Sequence, residues 1–407
     1  MEGPASEVEG RRGKLRILML LSWYPPQESV GNGIFMLRQA SALQQACLRA
    51  GREASVEVMS VQPQSWMGRD LRILGKGMRD PDGAVVLTHW VRTYRDKGSL
   101  PFKVWRQALA WWTLWRGYLH LHGEPPTVVI AQVAWKAAVV GAWLGLPMAV
   151  LEHWSGWLQE APPYRWWERV LVKRALFRAG AVGAVSPWLA KAMETHLGGL
   201  RVSVLPNVVR APFWPDQGGW TRRPAASFAE GGTVNYLLHL SDMSEVKNPG
   251  LLLQAWQESS LHSMGYELRI GGEYPPDLPS RHASVPGLRW LGPLDTASLK
   301  DVLNRAWVLL LPSKHETFSL LTAEALLSGC PVWALYPPLL ECYGKIKGFR
   351  VLPDDRVATW AEALRNLLSE EPPVAGEGAS EALLPYRPDA AGDRLLSWVH
   401  SLLDQSW

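Results

Sequence analysis

The stretch HETFSLLTAEALLSGCPV, residues 315–332, carries two acids, Glu316 and Glu324, eight positions apart. At about 3.6 residues per turn, that spacing is a little over two helical turns. A helix beginning near Ser319 puts Glu324 on its first or second turn and leaves Glu316 in the loop feeding it. Gly329 and Pro331 would end that helix. Taken alone, two acids placed this way fit an arrangement in which one favours the helix dipole and the other is solvated; the motifs elsewhere in the chain bear on whether they do more.

Four further places have residue types suited to chemistry. Gly31-Asn32-Gly33 follows an apolar run and lets backbone approach a ligand closely; the alternative is a plain pair of turn glycines. His153, in LEHWSG, ends a strand-like run and can present its ring there, or be a satisfied structural histidine. Pro206–Val209 reads PNVV, and Lys247 ends the turn HLSDMSEVK, where it is either a point charge for an anion or a solvated lysine. Glu152, beside His153, should point to the opposite face if the strand reading holds. No Ser/His/Asp or paired-acid nucleophile constellation is apparent, and no Asp-x-Asp metal motif.

Such residues need a scaffold, and the chain alternates strand-like runs with helical periods, as parallel α/β sheets do. LRILMLLS (15–22), ASVEVMSV (54–61), TVVIAQV (127–133), PMAVLEH (147–153), AGAVGAVS (179–186) and RVSVLPN (201–207) read as one series. VNYLLHLS, YELRIGG, GLRWLG, WVLLLPS, CPVWALY and FRVLP form a second. Between them, residues 209–232 are rich in Pro, Gly and Ser and lack periodicity, which marks a linker. The expected architecture is α/β, with two doubly wound halves and ligands outside the carboxyl ends of the strands.

Composition sets the class. The chain has 407 residues, 47% hydrophobic and 20% charged, enough for two globular domains. Cys47, Cys330 and Cys342 lack metal-ligand spacing, and an odd count argues for a reducing compartment. Residues 1–14 have no apolar segment of the signal-peptide kind and read as a disordered tail. No apolar run is long enough for a membrane-spanning helix. Residues 1–180 hold 23 basic and 14 acidic residues, against 19 and 24 in the remainder, so the halves should meet different partners.

Taken in order, Gly31/Gly33, His153, PNVV, Lys247 and the Glu316/Glu324 pair resemble retaining glycosyltransferases of GT-B family 4. The likeness runs over roughly residues 15–400. It implies two Rossmann-like domains facing a cleft, with 15–208 on the acceptor side and 233–384 holding a nucleotide sugar. Residues 385–407 would be a C-terminal helix returning to the first domain. The resemblance makes Glu316 a contact to the donor sugar and gives the donor phosphates the backbone amides of Thr317, Phe318, Ser319 and Leu320, with Gly31 and Gly33 opposite. Glu324 would accept the ribose hydroxyls, and Lys247 would face the leaving diphosphate. His153 would lie near the reacting centre. Retention is then explained by same-face attack, the leaving phosphate taking the acceptor's proton. No cofactor and no catalytic metal are expected.

Asp242 departs from the family pattern, in which many members carry an arginine near this position. Either the phosphates lean on Lys247 and amides, or the alignment of SDMSEV slips, or the nucleotide is held weakly. The leading expectation is a hexosyltransferase acting on a saccharide or lipid-linked acceptor in cell-surface glycan synthesis. The alternative is a glycosyltransferase-like nucleotide-binding or scaffold subunit.

On the acceptor side, residues 102–123 and 164–180 interleave Trp with Arg and Lys. That composition suits an anionic bilayer surface, and it also suits two core-packed helices with solvated basic faces. A cytoplasmic protein, peripheral on the inner face of the membrane, is the corresponding expectation. No nucleic-acid module is recognisable.

Overall fold

A computed structural model describes residues 15–25, 33–68, 70–80, 83, 85–146, 148–215, 235–367 and 376–404. Contacts divide the chain into two compact units. The first takes the chain up to Pro206 and, from much later in the sequence, Pro388 onward; the second takes Asn207–Arg387.

The sheet of the first unit contains β1 (Leu15–Leu21), β2 (Ala54–Pro63), β3 (Arg72–Arg79), β4 (Val86–Tyr94), β5 (Val128–Gln132), β6 (Met148–Glu152), β7 (Ala181–Ala184) and β8 (Ser203–Val204). Their order is β3-β4-β2-β1-β5-β6-β7-β8. All neighbours run parallel except β3 and β4. β1, LRILMLL, is buried along nearly its whole length, as a parallel strand covered on both faces must be. Helices α1 (Ile34–Arg49), α2 (Leu100–His122), α3 (Val139–Trp143), α4 (Trp166–Arg178) and α5 (Pro187–Leu197) follow strands of this sheet.

In the second unit, β9 (Tyr236–Leu240), β10 (Glu267–Gly271), β11 (Leu288–Gly292), β12 (Leu309–Leu311), β13 (Val332–Ala334) and β14 (Phe349–Val351) are ordered β11-β10-β9-β12-β13-β14, all parallel. Its helices include α6 (Pro249–Ser259), α7 (Thr296–Arg305), α8 (Leu320–Leu327) and α9 (Val357–Asn366). Both sheets reverse their direction of winding beside their first strand. That reversal opens a crevice at the carboxyl ends of β1 and β5 in one unit, and of β9 and β12 in the other.

Two features differ from the sequence reading. The β3–β4 hairpin was not expected, because RILGKGMR reads as a polar, glycine-broken stretch; its side chains alternate between solvent and sheet at an edge. The expected linker 209–232 begins inside the second unit. Val209, Phe213 and Trp214 are buried, and Val209 N–H donates to Tyr386 C=O at 2.9 Å. Burying two such aromatic side chains contributes roughly 1.5–3 kcal/mol each, far more than an exposed tether gains. Residues 216–234 lie outside the described part.

The last helix, α10 (Pro388–Leu403), packs on α1 in the first unit. A Cβ on Gly392 would meet the Ala42 carbonyl oxygen at 2.3 Å, so the crossing is as close as it is because that residue is glycine. Arg49 ties the pair by an ion pair to Asp393 at 2.6 Å and a hydrogen bond to the Asp389 carbonyl.

Candidate active site

In the second unit, the loops after β9 and β12 meet at the crevice. Lys314 N–H donates to Val246 C=O at 2.9 Å, locking the two loops together. Across them, Lys247 Nζ pairs with Glu316 Oε1 at 2.7 Å. Burial works to lower the Lys247 amine, but Glu316, with help from Asp242, outweighs it and holds the group above its ordinary value. Lys247 is therefore a protonated cation at neutral pH. Asp242 caps its own turn, accepting from Ser244 N–H at 3.0 Å.

Behind this pair, His239 bridges the Leu310 carbonyl through Nδ1 (2.9 Å) and the Ser241 hydroxyl through Nε2 (2.7 Å). Ser241 in turn accepts from Met243 N–H. These bonds fix the turn that carries Lys247. Burial pushes His239 down to about 4, so it stays neutral.

α8 begins at Leu320, with Ser319 before it in the left-handed region at φ 63°. The Phe318 side chain is fully buried against Tyr343 and Tyr386 and is an anchor; only its backbone is available to a ligand. Tyr343 Oη donates to the carbonyls of Phe318 and Ser319, at 2.9 and 3.1 Å. Among the described residues the amides of Thr317–Leu320 have no acceptor, while the Ser319 carbonyl also accepts from Thr322 N–H at 3.0 Å, and open amides at a helix start favour an anion.

Glu324 lies on α8 as the spacing implies, but it is not an open carboxylate. Arg210 clamps it with two parallel bonds, Nε to Oε1 and Nη2 to Oε2, both at 2.5 Å, and reaches Thr296 through Nη1. Both side chains are buried. Each oxygen keeps a second lone pair, so the clamp fixes the orientation of the carboxylate without exhausting it. Arg210 was not singled out from sequence, since it is separated from its partner by 114 positions.

In the first unit, Gly33 precedes α1 with φ 80°, and a Cβ there would meet the Trp23 carbonyl at 3.0 Å. Gly31 lies outside the described residues. Phe35, on the first turn of α1, brings that helix start to His153, ring centroids 4.8 Å apart. His153 Nε2 is 2.5 Å from Gln132 Oε1 at the end of β5. Burial lowers His153 to about 3, so its imidazole is neutral.

β6 stops at Glu152, so strand alternation does not carry through to His153. Glu152 is fully buried and folds its carboxylate over the following loop. Oε1 accepts from His153 and Trp154 N–H, both at 2.8 Å; Oε2 accepts from Ala134 N–H at 2.9 Å and Trp157 Nε1 at 3.0 Å. Burial pushes its carboxyl up, and the four donors work against that shift. This role leaves no periodic signal in the sequence, because three of its donors lie within five residues and the fourth is 18 positions away.

The turn after β5 is strained. Val133 has φ 77°, and Lys136 has φ 72° with ψ −75°. Such residues cost about 1–3 kcal/mol each and persist where their surroundings over-determine them. Here Ser22 Oγ donates to the Trp135 carbonyl and accepts from Ala137 N–H, while Val133 N–H donates to Leu151 C=O. Among the described residues, no group of three His, Cys, Asp or Glu is placed to hold a metal.

Three buried histidines, His89 (about 4), His153 (about 3) and His239 (about 4), are neutral in the folded protein because burial lowers them. Below about pH 6.5 the unfolded chain takes up protons that the folded chain refuses. Stability is complete above that value and falls, as pH drops toward 4, by about 1.4 kcal/mol per unit for each histidine. Two of the three lie in the first unit, so its melting temperature should drop by about 10 °C between pH 7.5 and 5.0. An unchanged melting curve over that range would contradict neutral burial.

Two families match the sequence. Glycosyltransferase Family 4 matches residues 67–211, and Glycosyl transferases group 1 matches residues 234–370. A comparison with curated proteins finds no match. Among solved structures, a sucrose-phosphate synthase from Thermosynechococcus elongatus superposes with a TM-score of 0.72 at 14% identity, covering 97% of this chain and 100% of that one. The Anabaena protein HepE, in complex with UDP and glucose, gives 0.66 at 17% identity, covering 95% and 100%. A glycosyltransferase from Rickettsia africae gives 0.63 at 13% identity, covering 97% and 100%. The chain belongs to the GT-B glycosyltransferases of the group 1 and family 4 type and is a transferase enzyme.

Proposed function

We propose that the protein transfers a hexose from a nucleotide-diphosphate sugar, with retention, to a saccharide or lipid-linked acceptor. The observation that carries this reading is the Lys247–Glu316 pair set beside the free amides of α8. Lys247 and the amides of Thr317–Leu320 take the diphosphate, whose negative charge grows as the glycosidic bond breaks. Glu316 reads the sugar hydroxyls and Glu324 the ribose. Because Asp242 caps its own turn, the cationic share of phosphate binding rests on Lys247. Binding of UDP and glucose by the HepE relative supports a donor of this kind.

His153, Lys136, Gln132 and Tyr164 serve the acceptor side. Among the described residues, Gln132 Nε2 and Tyr164 Oη are buried without a hydrogen-bond partner, as groups awaiting a polar ligand are. The test is donor hydrolysis and transfer by purified protein. Glu316→Gln should abolish slow hydrolysis of UDP-glucose or its GDP and ADP counterparts, and His153→Ala should lower turnover at least tenfold with nucleotide affinity unchanged. Nucleotide binding without turnover, across a broad acceptor panel, would sink the catalytic reading.

The acceptor reading extends to the membrane. On α2, Trp111, Trp115 and Tyr118 are core, but Phe102 and Trp105 are each 60% exposed; on α4, Trp166 is 79% exposed. Trp112 meets Trp143 of α3 edge-on at 6.4 Å, and α3 packs on α4, so exposed tryptophans run from α2 to α3 beside α4. Arg165, Arg169, Lys173, Arg174 and Arg178 accompany them. Patches of this kind mark interaction surfaces, and basic residues near anionic lipid add roughly 1 kcal/mol each. Sedimentation with vesicles should rise with anionic lipid and fall with salt and in Arg169→Glu/Lys173→Glu. A protein that stays in the supernatant throughout would assign the acceptor to solution. No helix among the described residues is long and apolar enough to cross a membrane.

A further inference from the structure

Away from the residues assigned above, the first unit has a cavity of about 320 Å³ between the β3–β4 hairpin and the start of α2. Arg72, Arg92, Arg95 and Arg106 line it, with Asp70 as the one carboxylate. Arg72 and Arg92 stand directly opposite each other in the antiparallel ladder. Like charges in that register repel, so the hairpin carries an unfavourable pair at this point. Among the described residues none of the four arginines forms an ion pair. Two are held in place by neutral partners: Arg92 Nη1 donates to Thr113 Oγ1 at 2.5 Å, and Arg106 Nη1 donates to the carbonyls of Arg95 and Lys97 at 3.3 and 2.9 Å. Asp70 accepts from the Thr93 hydroxyl at 2.7 Å, which with smaller help from Arg92 and Arg95 holds its carboxyl below the ordinary value, so one carboxylate offsets part of the positive charge of four arginines.

We propose that this cavity is a second ligand site, one that binds a phosphate group. Four guanidinium groups on a concave wall focus positive potential, and their planar forks match phosphate oxygens two at a time. A bound phosphate would convert the repulsion between Arg72 and Arg92 into shared attraction. Leu109 lines the cavity and also belongs to the exposed apolar face of α2 with Phe102 and Trp105. A ligand with its phosphate in the cavity therefore has an apolar surface beside it for the rest of its body. That combination fits the headgroup of an anionic lipid, the other source of the same chemistry being a soluble phosphate. The lipid source rests on the membrane reading above; the phosphate site does not.

The test uses the full chain with two probes: inorganic pyrophosphate by calorimetry, and phosphatidylcholine vesicles with and without phosphatidylglycerol by sedimentation. Arg72→Gln/Arg95→Gln removes two exposed charges from the cavity, and Lys76→Gln/Arg79→Gln removes two from the same hairpin outside it. Binding to phosphatidylglycerol vesicles should fall at least tenfold in the first pair and less than twofold in the second, with pyrophosphate competing. Donor hydrolysis should be unchanged in both, which separates failure of this site from failure of the transferase reading. Pyrophosphate binding that depends on Arg72 and Arg95 but does not compete with vesicles would overturn the lipid source and keep the phosphate site. Equal losses in the two pairs, or no loss for either probe, would overturn the site.

Discussion

Glu324→Ala is expected to destabilise the second unit by about 3–5 kcal/mol, because it strands the Arg210 guanidinium in a buried position. That loss would pull down nucleotide binding through unfolding alone, so the single variant cannot report on ribose recognition. Arg210→Met/Glu324→Met removes both charges and replaces them with apolar volume, and it should recover most of the stability. If Glu324 reads the ribose as proposed, the double variant should still bind UDP at least tenfold more weakly than wild type. It should also lose discrimination against UDP lacking the 2′ and 3′ hydroxyls. A double variant that is stable and binds both ligands as wild type does would leave the Arg210–Glu324 pair a purely structural clamp.

The second large effect is expected at Glu152. Its carboxylate satisfies three backbone N–H groups and the Trp157 indole, and each buried donor left without a partner costs about 1–3 kcal/mol. Glutamine does not rescue the site, since its amide would turn N–H toward donors at one of the two positions. Glu152→Gln should therefore lower the melting temperature of the first unit and displace the loop that carries His153. Turnover should fall about a hundredfold or more, while UDP affinity, which the proposed function assigns to the second unit, should hold. Wild-type turnover in Glu152→Gln would show that the loop keeps its shape without the carboxylate.

The parallel sheets were legible because their strands are buried on both faces and so read as apolar runs between turns. Runs such as LRILMLLS and VNYLLHLS need no partner to be recognised. The edge hairpin was not, since Arg72, Lys76 and Arg79 give β3 the look of a loop. The acids of 315–332 and Lys247 were legible as types at a spacing, but their partners were not. Arg210 on Glu324 and Gln132 on His153 are contacts that only the folded chain creates. α2 shows a further limit. Trp111, Trp115 and Tyr118 make one apolar stripe, and Trp105, Leu109 and Trp112 make another. A helix apolar on two sides reads as buried all round, and composition cannot say which stripe meets water.

The return of α10 to the first unit bears on how the protein is made. Domains usually fold as they emerge, the first-made one first. Here the first unit is incomplete when Pro206 leaves the ribosome, because the face of α1 that packs on α10 at Gly392 still lacks its cover. The whole of Asn207–Arg387 must be synthesised before Pro388–Leu403 arrives. During that interval the second unit is free to fold to completion while its older neighbour waits with an apolar helix face open to chaperones. A ribosome that stalls before Pro388 would release a chain whose second unit is sound and whose first is a target for degradation.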